Sequence, residues 1–167
     1  MIEEADLFMF HIRPATVQDV PLLRAMIREL AEYEHELELV TISDEDLSRD
    51  GFGKDPRFRA LIAEWDGQPA GYALVFGYYS TWVGRGLFLE DLFVRESFRS
   101  RGIGKALLAS VARMAVDEHC YGIHWEVLDW NKNAIDFYQR LGATFRDQWR
   151  PVLLADEALR KLAETAL

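Results

Sequence analysis

A basic, glycine-containing loop is the part of the sequence whose residue types point most directly to chemistry. It reads Arg99-Ser100-Arg101-Gly102-Ile103-Gly104-Lys105 and lies between a strand pattern and a helix pattern. Glycines let the backbone approach a ligand closely, and the free amides at a helix start attract anions. We therefore predict that this loop binds a pyrophosphate, with a solvated turn of incidental charge as the alternative.

Two commoner phosphate motifs do not fit this loop. Gly104-Lys105 is followed by Ala106 rather than Ser or Thr, and Arg99 stands where a Walker motif has its first glycine. The dinucleotide motif is excluded as well, because Leu107 occupies the place of its third glycine. The loop therefore needs another kind of phosphate ligand.

An apolar strand pattern just before the loop carries two neighbouring acids, Glu90 and Asp91. In a regular strand, side chains alternate between the two faces. The face of Glu90 would then carry Phe88, Leu92 and Val94, and the face of Asp91 would carry Leu89 and Phe93. Because an ionised carboxylate is costly to bury, this pattern indicates a cleft, a perturbed pKa or an ion pair. For Asp91, a structural role with hydrogen-bond donors explains the pattern equally well.

Three segments together resemble the acetyl-CoA motifs of the GNAT acetyltransferases. They are Phe88-Leu89-Glu90-Asp91-Leu92-Phe93-Val94, Arg99-x-x-Gly102-x-Gly104 and Trp130-Asn131-Lys132-Asn133-Ala134-Ile135-Asp136-Phe137-Tyr138. Segments 10–16, 29–34, 50–53 and 80–82 are similar to the diamine acetyltransferase branch, which includes spermidine/spermine and thialysine acetyltransferases. The resemblance covers nearly the whole chain.

The resemblance implies that acetyl-CoA is the co-substrate. The backbone groups of Leu92, Phe93 and Val94 would pair with its pantetheine arm, and the loop from Arg99 to Lys105 would hold its pyrophosphate. Further contacts would come from Asn131, Lys132, Asn133, Ala134 and Tyr138. Asn131 precedes a helix pattern, so an N-cap role also explains it.

The resemblance also implies two catalytic residues. An amine with a pKa near 10.4 arrives mostly as ammonium, so a group must accept its proton before the amine attacks the thioester. Glu90 would accept that proton, directly or through water, and Tyr138 would protonate the departing thiolate. A core aromatic at helix spacing is the alternative for Tyr138.

Six residues are expected to bind the amine, since carboxylates and aromatic faces attract ammonium groups. Five match the substrate channel of the resembling branch, and Glu126 adds an acid on a neighbouring strand: Tyr33, Glu34, Trp82, Glu90, Asp91 and Glu126. The sequence departs from the polyamine enzymes before Trp149, where Asp147 is the nearest match to their acid. We therefore expect a diamine, a polyamine or a lysine analogue, with a slight preference for a lysine analogue such as thialysine.

The predicted elements must position these residues in one α/β domain over residues 1–167, with a core at about 10–165. Strands are predicted over residues 7–13, 58–65, 69–79, 87–94, 122–128 and 144–154. Helices are predicted after Thr16 and Ser43, over residues 104–118 and 133–141, and from about residue 156. This order predicts a single mixed, mostly antiparallel sheet flanked by helices, and the resemblance implies the GNAT fold.

Composition excludes several classes of protein. The net charge of −9 argues against a nucleic-acid partner and permits a cationic one. The chain shows no signal-peptide or membrane-span pattern, and Cys120 is its only cysteine, so we expect a cytoplasmic protein that does not bind membranes. The four histidines lack metal-ligand spacing, so no metal is expected. The resemblance implies a homodimer.

Two other functions remain open at this point. One is a non-catalytic acyl-CoA-binding module. The presence of the candidate catalytic residues Glu90 and Tyr138 favours an enzyme over such a module. The other is a protein or peptide N-acetyltransferase, which needs an open groove rather than an acidic, aromatic channel.

Overall fold

The computed structural model describes residues 10–166. Their contacts form two compact units, one extending to Glu126 and the other beginning at Val127. The expectation of one domain stays a prediction, and each unit is described by itself.

The first unit contains a five-stranded mixed sheet. Its strands, in spatial order as well as chain order, are β1 (Phe10–Pro14), β2 (Arg59–Trp65), β3 (Gln68–Ser80), β4 (Gly84–Val94) and β5 (Ile123–His124). Neighbouring strands are antiparallel except for β4 and β5, which are parallel. This arrangement confirms the predicted fold class, although residues 7–9 of the first predicted strand lie outside the described residues.

Helices cover both faces of this sheet. On one face, α1 (Val20–Tyr33) and α2 (Asp44–Phe52) pack against a core that includes Tyr72, Leu74 and Phe93. The third helix, α3 (Ile103–Asp117), contacts β2, β3 and β4 from the opposite face. Its buried apolar side chains follow the helical period, which explains why the amphipathic pattern located it.

Local signals in the sequence account for several element boundaries. Asp66 and Gly67 have φ angles of 49° and 72°, as a type I′ hairpin turn requires. At the start of α2, the Ser43 hydroxyl accepts a hydrogen bond from the Asp46 amide at 3.1 Å, which is the predicted N-cap. Gly51 lies inside α2, where a Cβ would overlap the ring of Phe58.

The second unit contains α4 (Lys132–Arg140) and α5 (Asp156–Ala163). Gly142 follows α4 with a φ of 86°, the left-handed conformation that glycine commonly adopts just after a helix.

Two strand predictions were wrong: one strand is shorter than predicted, and the other does not form in the described residues. The strand predicted over residues 122–128 is reduced to Ile123–His124, and residues 144–154 form no strand within the described part of the chain. Both predictions rested on short apolar patterns, which lead to a strand only where a neighbouring strand completes the backbone hydrogen bonds.

Candidate active site

A β-bulge at Glu90 shapes the acidic part of the site. Leu74 pairs with Asp91 and Val75 pairs with Leu89, so Glu90 is the extra residue of β4. The bulge breaks the alternation of side chains. Asp91 therefore shares the face of its partner Leu74, whereas Leu89 lies on the opposite face, and the predicted grouping of Asp91 with Leu89 was wrong.

Asp91 lies in an environment that perturbs its pKa. The Tyr72 hydroxyl donates a hydrogen bond of 2.8 Å to Asp91 Oδ2, and Tyr72 itself is fully buried. Burial raises the pKa of Asp91 to about 6, the hydrogen bond from Tyr72 opposes this rise, and the charges of Glu90 and Glu34 add to it. The side chain of Glu90 is exposed. The cost of burying a carboxylate therefore falls on Asp91 rather than on Glu90.

Glu34 belongs to the same acidic group. It caps the C-terminal end of α1, where burial raises its pKa and the charge of Glu36 adds to the effect. Its charge in turn raises the pKa values of Asp91 and Tyr72. The structure thus brings together three of the predicted substrate residues, Glu34, Glu90 and Asp91.

Tyr72 was missed by the sequence analysis, in which it is one apolar residue of a strand. Only the register of β3 against β4 places its hydroxyl at Asp91. A regular alternation of β4 would have given Asp91 different neighbours, so the sequence pattern alone did not indicate this hydrogen bond.

The predicted cofactor loop has the backbone geometry of an anion site. Gly102 is the N-cap of α3, with a φ of 79°, and a Cβ there would meet no described atom within 4 Å. Ser100 is also left-handed, with a φ of 62°. The amides of the first turn of α3 have no carbonyl partner within the helix, and Arg99, Arg101 and Lys105 add positive charge.

Two arginines of this loop lie over aromatic rings. The Arg99 guanidinium is 4.9 Å from the centroid of the Tyr33 ring, and its Nε donates to the Val94 carbonyl at 3.0 Å. Arg101 lies 4.9 Å from the Trp65 ring. Tyr33, predicted for the amine, thus contacts a residue predicted for the cofactor.

Among residues 10–166, the edge of β4 that faces β5 has no strand partner beside the loop. Over the described residues, β5 pairs with β4 only at Leu87 and Phe88. The part of this edge that includes Leu92 and Val94 is therefore not paired with a strand of residues 10–166, as the predicted contact with a pantetheine arm requires.

Trp82 and Glu126 are the remaining residues that were predicted to bind the substrate. Trp82 lies in the turn between β3 and β4, with 83% of its surface exposed. The length of the hairpin puts it about 20 Å along the strand from Asp91. Glu126 is exposed in irregular chain after β5.

The second unit holds the remaining predicted cofactor residues on α4. Asn131 Oδ1 accepts a hydrogen bond of 3.2 Å from the Ala134 amide, which is the predicted N-cap, and Lys132 Nζ donates to the Asp129 carbonyl. Asn133 and Ala134 belong to the first turn of this helix. Tyr138 is buried and its ring contacts that of Phe137.

The described residues contain neither a metal-site cluster nor a membrane-spanning helix. Within residues 10–166, no group of three or more His, Cys, Asp or Glu side chains has the arrangement of a metal site. Every helix in this range is too short or too polar to cross a bilayer.

Comparison with known proteins identifies the family of this chain. The profile of the Acetyltransferase (GNAT) family matches residues 23–143. The chain belongs to the GNAT family. This GNAT chain is 43% identical over 163 residues to the thialysine N-epsilon-acetyltransferase of Sus scrofa, covering 91% of this chain and 96% of that protein.

Further similarities agree with the family. The GNAT chain is 36% identical over 141 residues to the spermidine/spermine N(1)-acetyltransferase-like protein 1 of Homo sapiens, covering 80% of this chain and 20% of that protein. Its fold matches, with a TM-score of 0.75 at 17% identity, an aminoglycoside acetyltransferase from a soil metagenome in complex with sisomicin. That match covers 92% of this chain and 100% of the other.

The chain is therefore an N-acetyltransferase that uses acetyl-CoA. The left-handed Gly102, the open space beside it and the basic side chains of the loop fit an anionic group such as the pyrophosphate of CoA.

Proposed function

We propose that this GNAT enzyme acetylates a primary amine of a small substrate that carries a second cationic or zwitterionic centre. The observation that carries the proposal is the group of three acids, Glu34, Glu90 and Asp91, in which the charges of Glu34 and Glu90 both raise the pKa of Asp91. A cation placed among them lowers a repulsion that already exists in the protein. A neutral amine offers no such compensation.

A lysine analogue such as thialysine is the substrate that we favour, with a diamine or polyamine next. The 43% identity to a thialysine acetyltransferase over nearly the full length of both proteins supports this order. The similarity to the spermidine/spermine-like protein is lower, at 36%. Thialysine carries a primary amine at the end of its side chain and a zwitterionic centre at its α-carbon, so it has the two centres that the proposal requires.

Substrate binding is proposed to involve Tyr33, Glu34, Trp82, Glu90, Asp91 and Glu126. The acids supply charge, and the rings of Tyr33 and Trp82 supply faces that attract ammonium groups. Because Trp82 lies about 20 Å along the hairpin from Asp91, we propose that it acts at the amine site of a second copy of the chain, in a homodimer. Its exposure of 83% leaves it accessible for such a contact.

Acetyl-CoA supplies the thioester acetyl group. We assign its binding to the loop from Arg99 to Lys105, to the open edge of β4 at Leu92, Phe93 and Val94, and to the start of α4. The residues of α4 in this role are Asn131, Lys132, Asn133, Ala134 and Tyr138. The N-cap hydrogen bond of Asn131 uses its Oδ1 and leaves its side-chain amide as a donor.

Glu90 is the proposed general base. It is the bulged residue of β4 and its carboxylate is exposed, so water can carry the proton from the ammonium group to it. Tyr138 is the proposed general acid, because its hydroxyl can protonate the leaving sulfur.

The whole described chain is proposed to act as one N-acetyltransferase domain in the cytoplasm. The family match over residues 23–143 runs through both compact units, which supports a single domain. The single cysteine, Cys120, suits a reducing compartment.

An acetyl-CoA consumption screen tests the proposal. Polyamines, thialysine, lysine, aminoglycosides and peptides would be offered to the enzyme, and the acetylated product would be identified by mass spectrometry. Acetylation of thialysine or a diamine well above the peptides is expected. A preference for peptide N-termini would favour a protein N-acetyltransferase, and acetyl-CoA binding without turnover on any amine would favour a non-catalytic module.

A further inference from the structure

Tyr72 combines complete burial with a hydrogen bond to an acid of the proposed amine site. Its side chain has 0% exposure, and its ring packs 6.2 Å from that of Phe93 in the core beneath α1. A buried hydroxyl needs a hydrogen-bond partner, and here the partner is Asp91 Oδ2 at 2.8 Å. The core therefore fixes the hydroxyl, and the hydroxyl fixes the orientation of the carboxylate.

The other groups that act on Asp91 are negatively charged. Glu90 faces it from β4 and Glu34 faces it from the end of α1, while β3 contributes Tyr72. Both acids favour the protonated form of Asp91, as burial does. The hydrogen bond from Tyr72 is the contact that favours its ionised form.

We propose that Tyr72 is a positioning residue for amine recognition, whose hydroxyl holds Asp91 in place as a carboxylate that binds the second cationic centre of the substrate. This proposal rests on the proposed function insofar as the ligand is a cationic amine. Neither the sequence pattern nor the resemblance assigns a role to Tyr72. Phenylalanine would fill the same space in the core. The hydroxyl therefore serves to hydrogen-bond Asp91 rather than to fill the core.

The environment of Asp91 determines the direction in which loss of the Tyr72 hydroxyl moves the pKa of Asp91. The pKa of Asp91 is already raised to about 6, chiefly by burial. Removing the Tyr72 hydroxyl removes the influence that lowers this pKa, so the pKa rises further towards neutrality. At pH 7, a larger share of Asp91 is then protonated and unable to bind an ammonium group.

The test is Tyr72→Phe, measured as kcat/KM against pH with thialysine or 1,5-diaminopentane. The acidic limb of the profile should move up by about one pH unit, because a hydrogen bond to a carboxylate has about that effect on its pKa. At pH 7, KM for the dication should rise about twofold, and at pH 5 about tenfold, because a rise of one unit in the pKa changes the ionised fraction of Asp91 by about these factors. The KM for acetyl-CoA should not change.

Two matched variants separate this role from a structural one. Tyr79→Phe removes the hydroxyl of an exposed tyrosine on the same strand and should leave the profile unchanged. In an Asp91→Asn background, Tyr72→Phe should produce no further movement of the acidic limb. If Tyr72→Phe lowers only the thermal stability, or moves the limb equally in the Asp91→Asn background, the proposal is wrong.

A direct titration of Asp91 by carboxyl ¹³C NMR makes the result independent of the substrate. In Tyr72→Phe, the Asp91 resonance should titrate at a higher pH than in the wild type. An unmoved titration overturns the assignment of Tyr72 alone. A titration that moves in an enzyme that accepts no cationic amine overturns the proposed function, and with it the role of Tyr72 at the amine.

Discussion

The Arg99 guanidinium lies over the ring of Tyr33, 4.9 Å from its centroid. Arg99 belongs to the loop that precedes α3, and Tyr33 is the last residue of α1. The contact therefore joins the proposed pyrophosphate loop to the proposed amine site within one compact unit. Because the same guanidinium also donates to the Val94 carbonyl, it links both regions to the end of β4.

Gly102→Val is expected to reduce acetyl-CoA affinity at least tenfold. The left-handed φ of Gly102 disfavours a β-branched residue, and the space beside its Cα is where the pyrophosphate would lie. Gly67→Val is the matched control, because Gly67 has a similar φ of 72° and open surroundings but lies in the β2–β3 hairpin. Calorimetry should show lost affinity in the first variant only. Equal affinity in two folded variants would remove the loop from the cofactor site.

Glu90→Gln is expected to lower turnover about 10²-fold or more at neutral pH, as for the loss of a general base. The deficit should shrink as the pH approaches the amine pKa of about 10.4, because the free amine then exists without the enzyme's help. The measurement is kcat/KM against pH, with Glu45→Gln on the exposed side of α2 as a control. A deficit that stays constant with pH would argue against proton acceptance by Glu90.

Tyr138→Phe is expected to keep the fold and the acetyl-CoA affinity but to lower turnover about 10²-fold. The change removes one hydroxyl and keeps the ring that contacts Phe137. Steady-state kinetics and calorimetry check the two parts of this prediction, and Tyr79→Phe serves as the control. Wild-type turnover in Tyr138→Phe would exclude the tyrosine from the chemistry.

Asp19→Asn is expected to destabilise the fold by about 1–2 kcal/mol near pH 7, since it weakens hydrogen bonds to a charged group. The Arg13 guanidinium bonds both carboxylate oxygens of Asp19 at 2.8 Å and lowers the pKa of Asp19 to about 2. The native pKa lies below the unfolded value of 3.8. The contribution is therefore complete above the unfolded pKa and is lost as the pH falls through about 2.

Denaturant unfolding of both proteins at several pH values checks this prediction. The difference in stability between wild type and Asp19→Asn should narrow as the pH falls from 4 to 2. Asp55→Asn is a suitable control, because the ion pair of Asp55 with Arg57 is largely exposed and should contribute little. A difference that is independent of pH would contradict the stated cause.

Features fixed by local chemistry could be predicted from the sequence. The Asp66-Gly67 turn follows from the φ angles that glycine and aspartate accept, and the start of α2 follows from the Ser43 cap. The cofactor loop could be located in the same way, because Gly102 and the helix that follows are adjacent in sequence.

Features that depend on pairing between distant segments could not be predicted. The bulge at Glu90 exists only because β3 and β4 align with one extra residue, and that alignment alone brings Tyr72 to Asp91. The strand predicted over residues 144–154 failed for a related reason, since its apolar pattern does not specify a pairing partner. The three acids were predicted as candidates, but the effect of Glu34 and Glu90 on the pKa of Asp91 could be derived only from the structure.

The central claim, recognition of a second charge on a small amine, is tested most directly by a matched pair of substrates. We predict that kcat/KM for thialysine exceeds that for pentylamine at least tenfold in the wild type. Glu34→Gln should narrow this ratio severalfold, as for the loss of one partly exposed charge contact, whereas Glu38→Gln on the exposed surface should not. Equal kcat/KM for the two amines, with no response to Glu34→Gln, would contradict the account.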